Sequence, residues 1–407
     1  MADGPPVLAG LRDHRGVSAT PRKVLLAAPH YWTSPFQVAG QHVARAFAAE
    51  GWDVAYVSNP ISPLHLGRGW TRDLRDRAAL YQQGGLSTAR GAIWAYVPGA
   101  LLTPNRGPVV GSRWVHRHWD RLSLPNVVSR VRDHGFGQVD LLYVDTVVQG
   151  FWLDVIRHDH SVLRVGDRMS AFGQFTPEMA RIQEEIARRV DLVVYSASTL
   201  ESDVQSLAPR RTLYMPNGVD VAQFSAGSRP SIPPDLATIP RPIAIYVGAL
   251  DDWFDFETID TLVASMPDVS FVLVGPDLLA KRRLMSRPNL HILGPRPYAQ
   301  IPSYLRNSDV GLIPFDIRTH RDLVNSVHPL KQYEYLASGL PVVATRWDEL
   351  SRLQPPATTL CDSPDAFRAA IVDALARRPN NGSVDGFLRT ADWRTRVRDL
   401  LAALETT

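Results

Sequence analysis

Residues 326–345 place a lysine and a glutamate one helical turn apart. Lys331 follows Pro329 by two residues, and Glu334 follows Lys331 by three. Proline suits the first turn of a helix, and residues three apart share a helix face. Free N–H groups, the positive end of a helix and an ammonium together could bind a diphosphate, and a carboxylate could bind a ribose diol. The same spacing also fits an exposed helix on which the two side chains form only a weak surface pair.

Apolar runs of strand length alternate with helical patterns along both halves of the chain. Helices are predicted over 38–50 and 176–189, and an amphipathic helix over 392–404. This alternation predicts two doubly wound parallel sheets, an α/β architecture, with ligands bound at the carboxyl ends of the strands. The predicted strands are 23–28, 53–58, 141–144, 161–165, 191–196, 243–248, 270–275, 289–294, 309–314 and 340–345.

The stretches between these patterns suggest how the chain is divided. Residues 226–241 are rich in proline, which predicts a linker without a helix or a central strand. Residues 60–135 are irregular, and 82–91 and 103–108 are predicted loops. The expected organisation is a flexible extension (1–21), a first domain (22–225), the linker (226–241), a second domain (242–385) and a C-terminal helix that crosses back to the first domain (386–407).

Composition excludes several classes of protein. A net charge of +3 over 407 residues is too small for the basic footprint of a nucleic-acid-binding protein. The single cysteine, Cys361, excludes an internal disulfide and a cysteine-based zinc cluster. The first residues do not resemble a signal peptide, and no apolar run approaches the length of a membrane span. These observations predict a cytoplasmic protein.

Metal and nucleotide motifs of the common kinds are absent from the sequence. His116 and His118, like His158 and His160, alternate in a way that could chelate a metal, but no further ligand set accompanies them. We therefore interpret them as solvent-facing residues and expect no metal site. The chain also lacks a P-loop, a GxGxxG motif and a D-x-D triplet.

The segment PLKQYEYLASGLPVVAT resembles the donor-site helix of GT-B glycosyltransferases of the bacterial exopolysaccharide and natural-product type. Further similar segments are HYWTSPFQ with Gly40, VDLVVYSASTL, MPNGVD, YVGALDDWFD, LGPRPYAQIPSYL and DWRTRV. The resemblance extends from about Lys23 to Leu404 except for 60–135, and it is greatest to GumK-like glucuronosyltransferases. It implies the GT-B fold, two Rossmann-like domains that face each other across a cleft.

The resemblance also implies a donor site in the second domain. Lys331 would meet the donor diphosphate, and Glu334 would hold the ribose. The loop that follows the first strand of this domain would face the phosphates, and a later turn would frame the base. The residues of these two segments are Gly248, Asp251, Gly294, Pro295, Arg296 and Tyr298.

The first domain would bind the acceptor and supply a general base. Asp167 matches the catalytic aspartate of GumK-like enzymes, with Asp145 and His30 as alternatives. Asp167 could instead cap a helix or pair with Arg164 or Arg168. Further candidates for the acceptor side are Tyr31, Trp32 and Gly40.

The resemblance bears on stereochemistry as well. Retaining relatives carry a second glutamate eight residues before the ribose-binding one, where this chain has Ser326. We therefore expect inversion.

The expected activity is transfer of a sugar from a nucleotide-sugar, a UDP-sugar in particular, without a cofactor. The acceptor would be a sugar, a lipid-linked sugar or a small molecule, in the biosynthesis of polysaccharides, glycolipids or natural products. Four alternatives stay open: a nucleotide-sugar 2-epimerase, a hydrolase of the same fold, a non-catalytic partner subunit and a two-lobed solute-binding protein.

Residues 105–126 interleave cations with aromatic rings, a pattern found in segments that touch an anionic membrane. The pattern equally fits a partly buried helical excursion with solvated arginines. If the membrane interpretation holds, the protein is peripheral on the inner face of the cell membrane. The residues concerned are Arg106, Arg113, Trp114, Arg117, Trp119 and Arg121.

Overall fold

The computed structural model describes residues 21–406 apart from 108, 172, 174, 226–229 and 377–380. The strands within these residues form two sheets, one of eight strands and one of six. The strands are β1 (Lys23–Ala28), β2 (Asp53–Ser58), β3 (Leu86–Thr88), β4 (Ile93–Tyr96), β5 (Gln138–Val144), β6 (Arg157–Val165), β7 (Leu192–Tyr195), β8 (Thr212–Tyr214), β9 (Ile243–Val247), β10 (Ser270–Val274), β11 (Leu290–Ile292), β12 (Val310–Ile313), β13 (Val342–Thr345) and β14 (Thr358–Cys361).

Helices cover the sheets and connect their strands. They are α1 (Ala39–Ala49), α2 (Arg72–Gln82), α3 (Arg113–His118), α4 (Val127–Val131), α5 (Trp152–Val155), α6 (Pro177–Arg189), α7 (Glu201–Ser206), α8 (Val221–Ser225), α9 (Pro234–Ala237), α10 (Phe256–Ser265), α11 (Leu278–Arg283), α12 (Ile301–Arg306), α13 (Arg321–Val324), α14 (Leu330–Ala337), α15 (Asp348–Leu353), α16 (Pro364–Ala376), α17 (Asn381–Thr390) and α18 (Trp393–Glu405).

The first sheet has the order β3-β4-β2-β1-β5-β6-β7-β8 and is parallel except for β3, which pairs antiparallel with β4. The second sheet has the order β11-β10-β9-β12-β13-β14 and is parallel throughout. The central strands are continuous apolar runs because helices cover both of their faces. All ten predicted strands are present, and the predicted α/β fold class is confirmed.

Strand order reverses between β1 and β5 in the first sheet and between β9 and β12 in the second. Open parallel sheets bind ligands outside the carboxyl ends of the strands at such reversals. The residues that follow these four strands therefore mark the expected binding region, among them His30 after β1 and Gly248 after β9.

The irregular region 60–135 is more ordered than predicted. It contains α2, β3, β4, α3 and α4, and β3 lies inside the predicted loop 82–91. This strand has three residues and is stabilised by its pairing with β4, so it carries too little local pattern to be recognised. The prediction of a loop over 82–91 was therefore wrong for the residues of β3.

The proline-rich stretch also contains a helix, contrary to the prediction. Helix α9 begins at Pro234, where the fixed φ of proline is compatible with a first turn. Its Leu236 is buried in the core of the second sheet, so this part of the stretch packs with the second domain. Residues 226–229 of the predicted linker, and 1–20 of the predicted extension, lie outside the described residues.

Contacts join the two domains away from the sheets. The buried carboxylate of Glu349 in α15 accepts hydrogen bonds from the Ser198 hydroxyl (2.8 Å) and the Thr199 backbone N–H (3.1 Å). The Asn217 amide donates to the His328 carbonyl (2.7 Å). Helix α18 packs on α1, with its apolar residues in a core shared with β1 and β2. These contacts hold the carboxyl ends of the two sheets opposite each other.

Candidate active site

A cavity of about 590 Å³ lies between the carboxyl ends of the two sheets. The first domain lines it with His30, residues 34–38, Asp73 and Asp167, and the second with both residues of the lysine–glutamate pair. The cavity therefore brings Lys331 and Glu334 into one space with Asp167. The remaining lining residues of the second domain are Tyr246, Val247, Gly248, Ala249, Trp253, Val274, Gly275, Pro295, Arg296, Tyr298, Ile301, Phe315, Leu323, Val324, Val327 and Leu330.

Lys331 is the second residue of α14, and its side chain faces the cavity. Its Nζ lies 4.9 Å from the ring centre of Phe315 and 5.3 Å from that of Tyr246. In the described part of the chain the ammonium has no hydrogen-bond or ion-pair partner. Loss of water around it lowers its pKa from 10.5 to about 8, although Glu334 opposes this shift. A desolvated, unpaired cation at a helix N-terminus is a strong site for a bound anion.

Pro329 is the N-cap of α14 rather than a residue of its first turn, so the helix begins at Leu330. The N–H groups of its first turn have no partner within the helix. Glu334 is buried, and its Oε1 accepts a hydrogen bond of 2.7 Å from the Tyr298 hydroxyl. Burial raises the pKa of Glu334, while Tyr298 and Lys331 lower it. Tyr298 and Glu334, two of the predicted donor-site residues, are thus hydrogen-bonded to each other.

Two glycines allow the backbone to approach Lys331. Gly248 has φ +153°, and a Cβ there would lie 3.0 Å from Lys331 Cε. A Cβ on Gly275 would lie 1.9 Å from the Gly248 carbonyl oxygen. At Gly275 the obstacle is backbone, which cannot yield as a flexible side chain does. At Gly248 the nearest atoms belong to side chains, and it is the positive φ that disfavours a Cβ.

Gly275→Ala is expected to destabilise the protein by about 2–3 kcal/mol, because it overpacks a contact between two backbone segments. Urea unfolding measures this change. Gly67→Ala is the matched control, since a Cβ there meets no atom within 4 Å, and its stability should equal that of the parent. Equal stability of the Gly275 variant and the parent would contradict the prediction.

The other predicted donor residues differ in where they lie. Pro295 and Arg296 line the cavity, after a turn in which Gly294 has φ +74°. The Arg296 guanidinium, however, donates to Asp235 (2.6 and 3.2 Å) and to the Tyr304 hydroxyl (2.9 Å). Its charge is therefore already paired. Asp251 is exposed and does not line the cavity.

Asp167 lies two residues beyond β6 and faces the cavity. Exclusion of water by the surrounding protein raises its pKa to about 6, the nearby Arg164 lowers it and Asp145 raises it further. A carboxylate with a pKa near 6 is ionised at neutral pH and still basic enough to take a proton.

Asp145 differs from Asp167 in its surroundings. It is buried and pairs with Arg164 at 3.1 Å. The same guanidinium donates to the Asn217 amide oxygen at 3.0 Å. Asp145 does not line the cavity, so its carboxylate lies behind the cavity wall and does not face a substrate. A Cβ on Gly40 would lie 3.1 Å from its Oδ2, which explains why α1 carries a glycine there.

Of the loop after β1, only part faces the cavity. His30 does, and although its ring is reachable from the cleft, surrounding protein lowers its pKa from 6.5. Tyr31 is buried against Leu80. Trp32 packs edge-on against Tyr56, 5.2 Å between ring centres. These two residues position the loop and do not line the cavity.

Among the described lining residues, one charged side chain was missed by sequence reasoning. Asp73, in the first turn of α2, lines the cavity beside His30. Its carboxylate lies 3.7 Å from the Arg77 guanidinium. A Thr71 cap three residues before Leu74 is a recognisable helix start, but it does not indicate which way Asp73 points.

Among the described residues, no group of three or more His, Cys, Asp or Glu side chains is arranged as a metal site. His116, predicted to face solvent, is buried in α3, because the apolar side of this helix packs on the domain core. No helix in the described ranges is long and apolar enough to cross a membrane.

Residues 105–126, apart from 108, which lies outside the described residues, form the partly buried helical excursion. Trp119 is fully buried, and its indole N–H donates to the Val148 carbonyl at 2.7 Å, so it cannot contact a membrane. Arg113 and Arg117 pair with Glu185. Trp114 remains 52% exposed.

Comparison with known families assigns both halves of the chain. Residues 25–196 match the N-terminal domain of the glucuronosyltransferase GumK, and residues 241–377 match the glycosyl transferases of group 1. The chain belongs to the GT-B glycosyltransferases, of the GumK-like type. In this GumK-like chain, the boundary between the matches falls between Ser196 and Arg241, which includes the proline-rich stretch.

A sequence relative of this GumK-like chain is a Bacillus subtilis (strain 168) protein named as the teichuronic acid biosynthesis glycosyltransferase TuaH. The two are 26% identical over 254 residues, which is 58% of this chain and 62% of TuaH. The chain thus spans less than two thirds of the length of that relative.

Solved structures share the fold. Sucrose-phosphate synthase from Thermosynechococcus elongatus has a TM-score of 0.64 at 16% identity, over 94% of this chain and 100% of its own. HepE from Anabaena, in complex with UDP and glucose, has a TM-score of 0.62 at 16% identity, over 95% of this chain and 100% of its own. Both confirm the GT-B arrangement predicted from the sequence.

Proposed function

We propose that the protein transfers a sugar from a nucleotide-sugar, a UDP-sugar in particular, to an acceptor hydroxyl with inversion at the anomeric carbon. The observation that carries this proposal is the single cavity in which Lys331 and Glu334 of one domain face Asp167 of the other. TuaH, named as a glycosyltransferase, and HepE, solved with UDP and glucose, support it.

On the donor side, Lys331 and the free N–H groups of α14 would bind the diphosphate. The backbone near Gly248 borders the same space. Glu334 would accept hydrogen bonds from the ribose diol, with Tyr298 holding its carboxylate in place at 2.7 Å. Pro295 and the backbone of the Gly294 turn would border the base. Asp251 has no part in this arrangement, because it lies outside the cavity.

The reaction would proceed in one displacement. The acceptor hydroxyl gives its proton to the Asp167 carboxylate while its oxygen bonds to the anomeric carbon, and the bond from that carbon to the diphosphate oxygen breaks. The positive charge of Lys331 stabilises the leaving diphosphate. Because the Lys331 cation and helix N–H groups would stabilise the negative charge of the leaving diphosphate, we predict that no divalent ion is required.

Inversion is supported by the surroundings of Ser326. This residue is fully buried, and its hydroxyl donates to the Leu323 carbonyl and accepts a hydrogen bond of 3.2 Å from the Arg168 backbone N–H. A carboxylate would stand here in a retaining relative. Instead, a small hydroxyl joins the second domain to the residue next to Asp167.

The acceptor would enter on the side of His30 and Asp73, the cavity residues of the first domain. A sugar, a lipid-linked sugar or a small molecule with a free hydroxyl fits this assignment. Biosynthesis of a polysaccharide, a glycolipid or a natural product would be the setting.

Activity is expected to depend on pH as a bell-shaped curve. Asp167, with a pKa of about 6, must be ionised, so kcat/KM should fall as the pH drops below 6. Lys331, with a pKa of about 8, must be protonated, so kcat/KM should fall again above 8. Initial rates from pH 5 to 10 measure both limbs, which report the free enzyme. A rate that is constant from pH 5 to 7 would contradict the assignment of Asp167.

A panel of UDP, GDP and dTDP, scored by the shift in melting temperature, tests the donor site. A nucleotide that binds only the folded protein stabilises it, so UDP is expected to raise the melting temperature. Product analysis with UDP-sugar alone then separates transfer from hydrolysis and epimerisation. Rapid release of free or epimerised sugar without an acceptor would contradict a transferase.

We also propose a peripheral contact with the inner face of an anionic membrane, through the exposed surface of residues 101–107 and 109–117. Leu101 (55% exposed), Val109 (63%) and Trp114 (52%) supply apolar groups, and the exposed Arg106 supplies a cation. Trp114→Ser is expected to weaken binding to anionic vesicles about tenfold. Leu278→Ser, an exposed leucine of the second domain, is the control. Vesicle flotation that does not depend on anionic lipid would rule this contact out.

A further inference from the structure

One wall of the cavity connects the two residues between which a sugar would react. It is formed by the chain from β12 to the start of α14, which contributes Phe315, Leu323, Val324, Val327 and Leu330 to the lining. Leu330 directly precedes Lys331, and the ring centre of Phe315 lies 4.9 Å from the Lys331 Nζ. Val324 and Val327 flank Ser326, whose hydroxyl contacts the residue beside Asp167. We call these five side chains the apolar wall.

A sugar that is linked to a diphosphate at Lys331 and reacts beside Asp167 would therefore lie along the apolar wall. All five of its side chains are hydrocarbon or aromatic, so none can pair with a charge on the sugar. Polar groups of the cavity lie instead at the donor nucleotide side or across the cleft in the first domain.

Cations that could pair with a charged sugar are few among the described residues of the lining. They are His30, Arg296 and Lys331. Arg296 is occupied by Asp235 and Tyr304. Lys331 is required by the diphosphate. His30 has a lowered pKa and is therefore largely neutral at pH 7.

Carboxylates, in contrast, face the position of the sugar. Asp167 and Asp73 both line the first-domain side of the cavity. Asp73 is paired with Arg77 at 3.7 Å, whereas Asp167 forms no ion pair within the described residues. A negatively charged sugar would meet the like charge of Asp167 across the cleft and hydrocarbon behind it, and both disfavour a buried charge.

From this arrangement we propose that the donor sugar is uncharged, a neutral hexose or deoxyhexose rather than a uronic acid, and that Val327 of the apolar wall contributes to this selection. The inference rests on the proposed function, since it takes the diphosphate at Lys331 as the anchor. It assigns to this chain a donor class that differs from the glucuronate in the name of the matched GumK domain.

Calorimetric titration of the full chain with UDP, UDP-glucose and UDP-glucuronate tests the proposal. UDP-glucose is expected to bind at least about tenfold more tightly than UDP-glucuronate, because a buried carboxylate without a partner loses its hydration. Normal binding of UDP together with equal or tighter binding of UDP-glucuronate would overturn this inference alone. If no free nucleotide binds, the proposed function fails, and this inference fails with it.

A substitution in the apolar wall provides a second readout. Val327 is only partly buried, and its carbonyl, not its side chain, accepts the Trp347 indole N–H at 3.0 Å. Val327→Arg places a guanidinium in the wall and is expected to move the preference at least about tenfold toward UDP-glucuronate. Retained binding of UDP reports that the site is folded, and because the preference is a ratio of two UDP-sugar affinities, a general gain in affinity for the diphosphate cancels.

Val327→Met is the matched control, because methionine reaches about as far into the cavity without a charge. Its ratio of glucose to glucuronate affinity should equal that of the parent. A Val327→Arg variant that binds UDP normally but keeps the parental ratio would show that the sugar does not lie along this wall, and would overturn the proposal.

Discussion

Asp167→Asn is expected to lower kcat between about 100- and 10,000-fold, the range that a positioned general base contributes. The amide is nearly isosteric with the carboxylate but cannot accept the hydroxyl proton. Affinity for UDP should be unchanged, because the diphosphate is held in the other domain by Lys331. Single-turnover transfer and calorimetric binding of UDP separate the two effects.

Asp145→Asn is the informative comparison for this variant. Asp145 lies outside the cavity and its negative charge raises the pKa of Asp167. Its removal should therefore shift the acid limb of the pH profile below 6 while kcat at pH 7.5 stays within about tenfold of the parent. Full activity of Asp167→Asn, or a loss of activity confined to Asp145→Asn, would contradict the assignment of Asp167 as the general base. Melting temperatures show whether either variant is unfolded.

Lys331→Met is expected to lower kcat about 100- to 1,000-fold and to weaken UDP binding, because the leaving diphosphate loses its cation. The free protein should nevertheless become more stable. The Lys331 ammonium is desolvated and unpaired in the described structure, so folding without a ligand is opposed by its charge. Gain of stability with loss of binding is the signature of a residue that serves a ligand.

The pH dependence of this stability gain follows from the pKa of Lys331. That pKa is about 8 in the folded protein and 10.5 ordinarily, so below 8 the lysine is charged in both states and its cost is fully present. Between 8 and 10.5 the folded lysine loses its proton and the cost declines. The melting-temperature difference between Lys331→Met and the parent should therefore be largest below pH 8 and vanish above 10.5.

Lys281→Met is the control for a lysine of the same domain. Lys281 is exposed in α11 and forms an ion pair with Asp277. Its replacement should alter neither UDP affinity nor activity. A Lys331 variant with normal UDP affinity would contradict the role of Lys331 in diphosphate binding, whatever its stability.

The pattern of residues along the sequence was sufficient to predict the strands and the helix that carry the site. Buried parallel strands are continuous apolar runs, so ten of them could be located without the structure. The helical spacing of Lys331 and Glu334 is a local property and survives in α14. Short elements were missed because pairing or packing stabilises them: β3 depends on β4, and α9 on the second core.

Only the tertiary structure decided which side chains face one another. By position alone, Asp145 and Asp167 are equivalent, since both closely follow a strand, and only the family resemblance favoured Asp167. Packing buries one against Arg164 and leaves the other in the cavity. Likewise, Asp235 forms an ion pair with Arg296. Asp73 lines the cavity although it belongs to a region in which the sequence shows no clear pattern.

The amino-acid sequence by itself determined the α/β class, the parallel strands and the lysine–glutamate pair, because these depend on periodicities of a few residues. The cavity, the pairing of its charges and the apolar wall arise from residues far apart in the chain. Their positions depend on how two sheets and their helices pack, and local periodicity does not encode that packing.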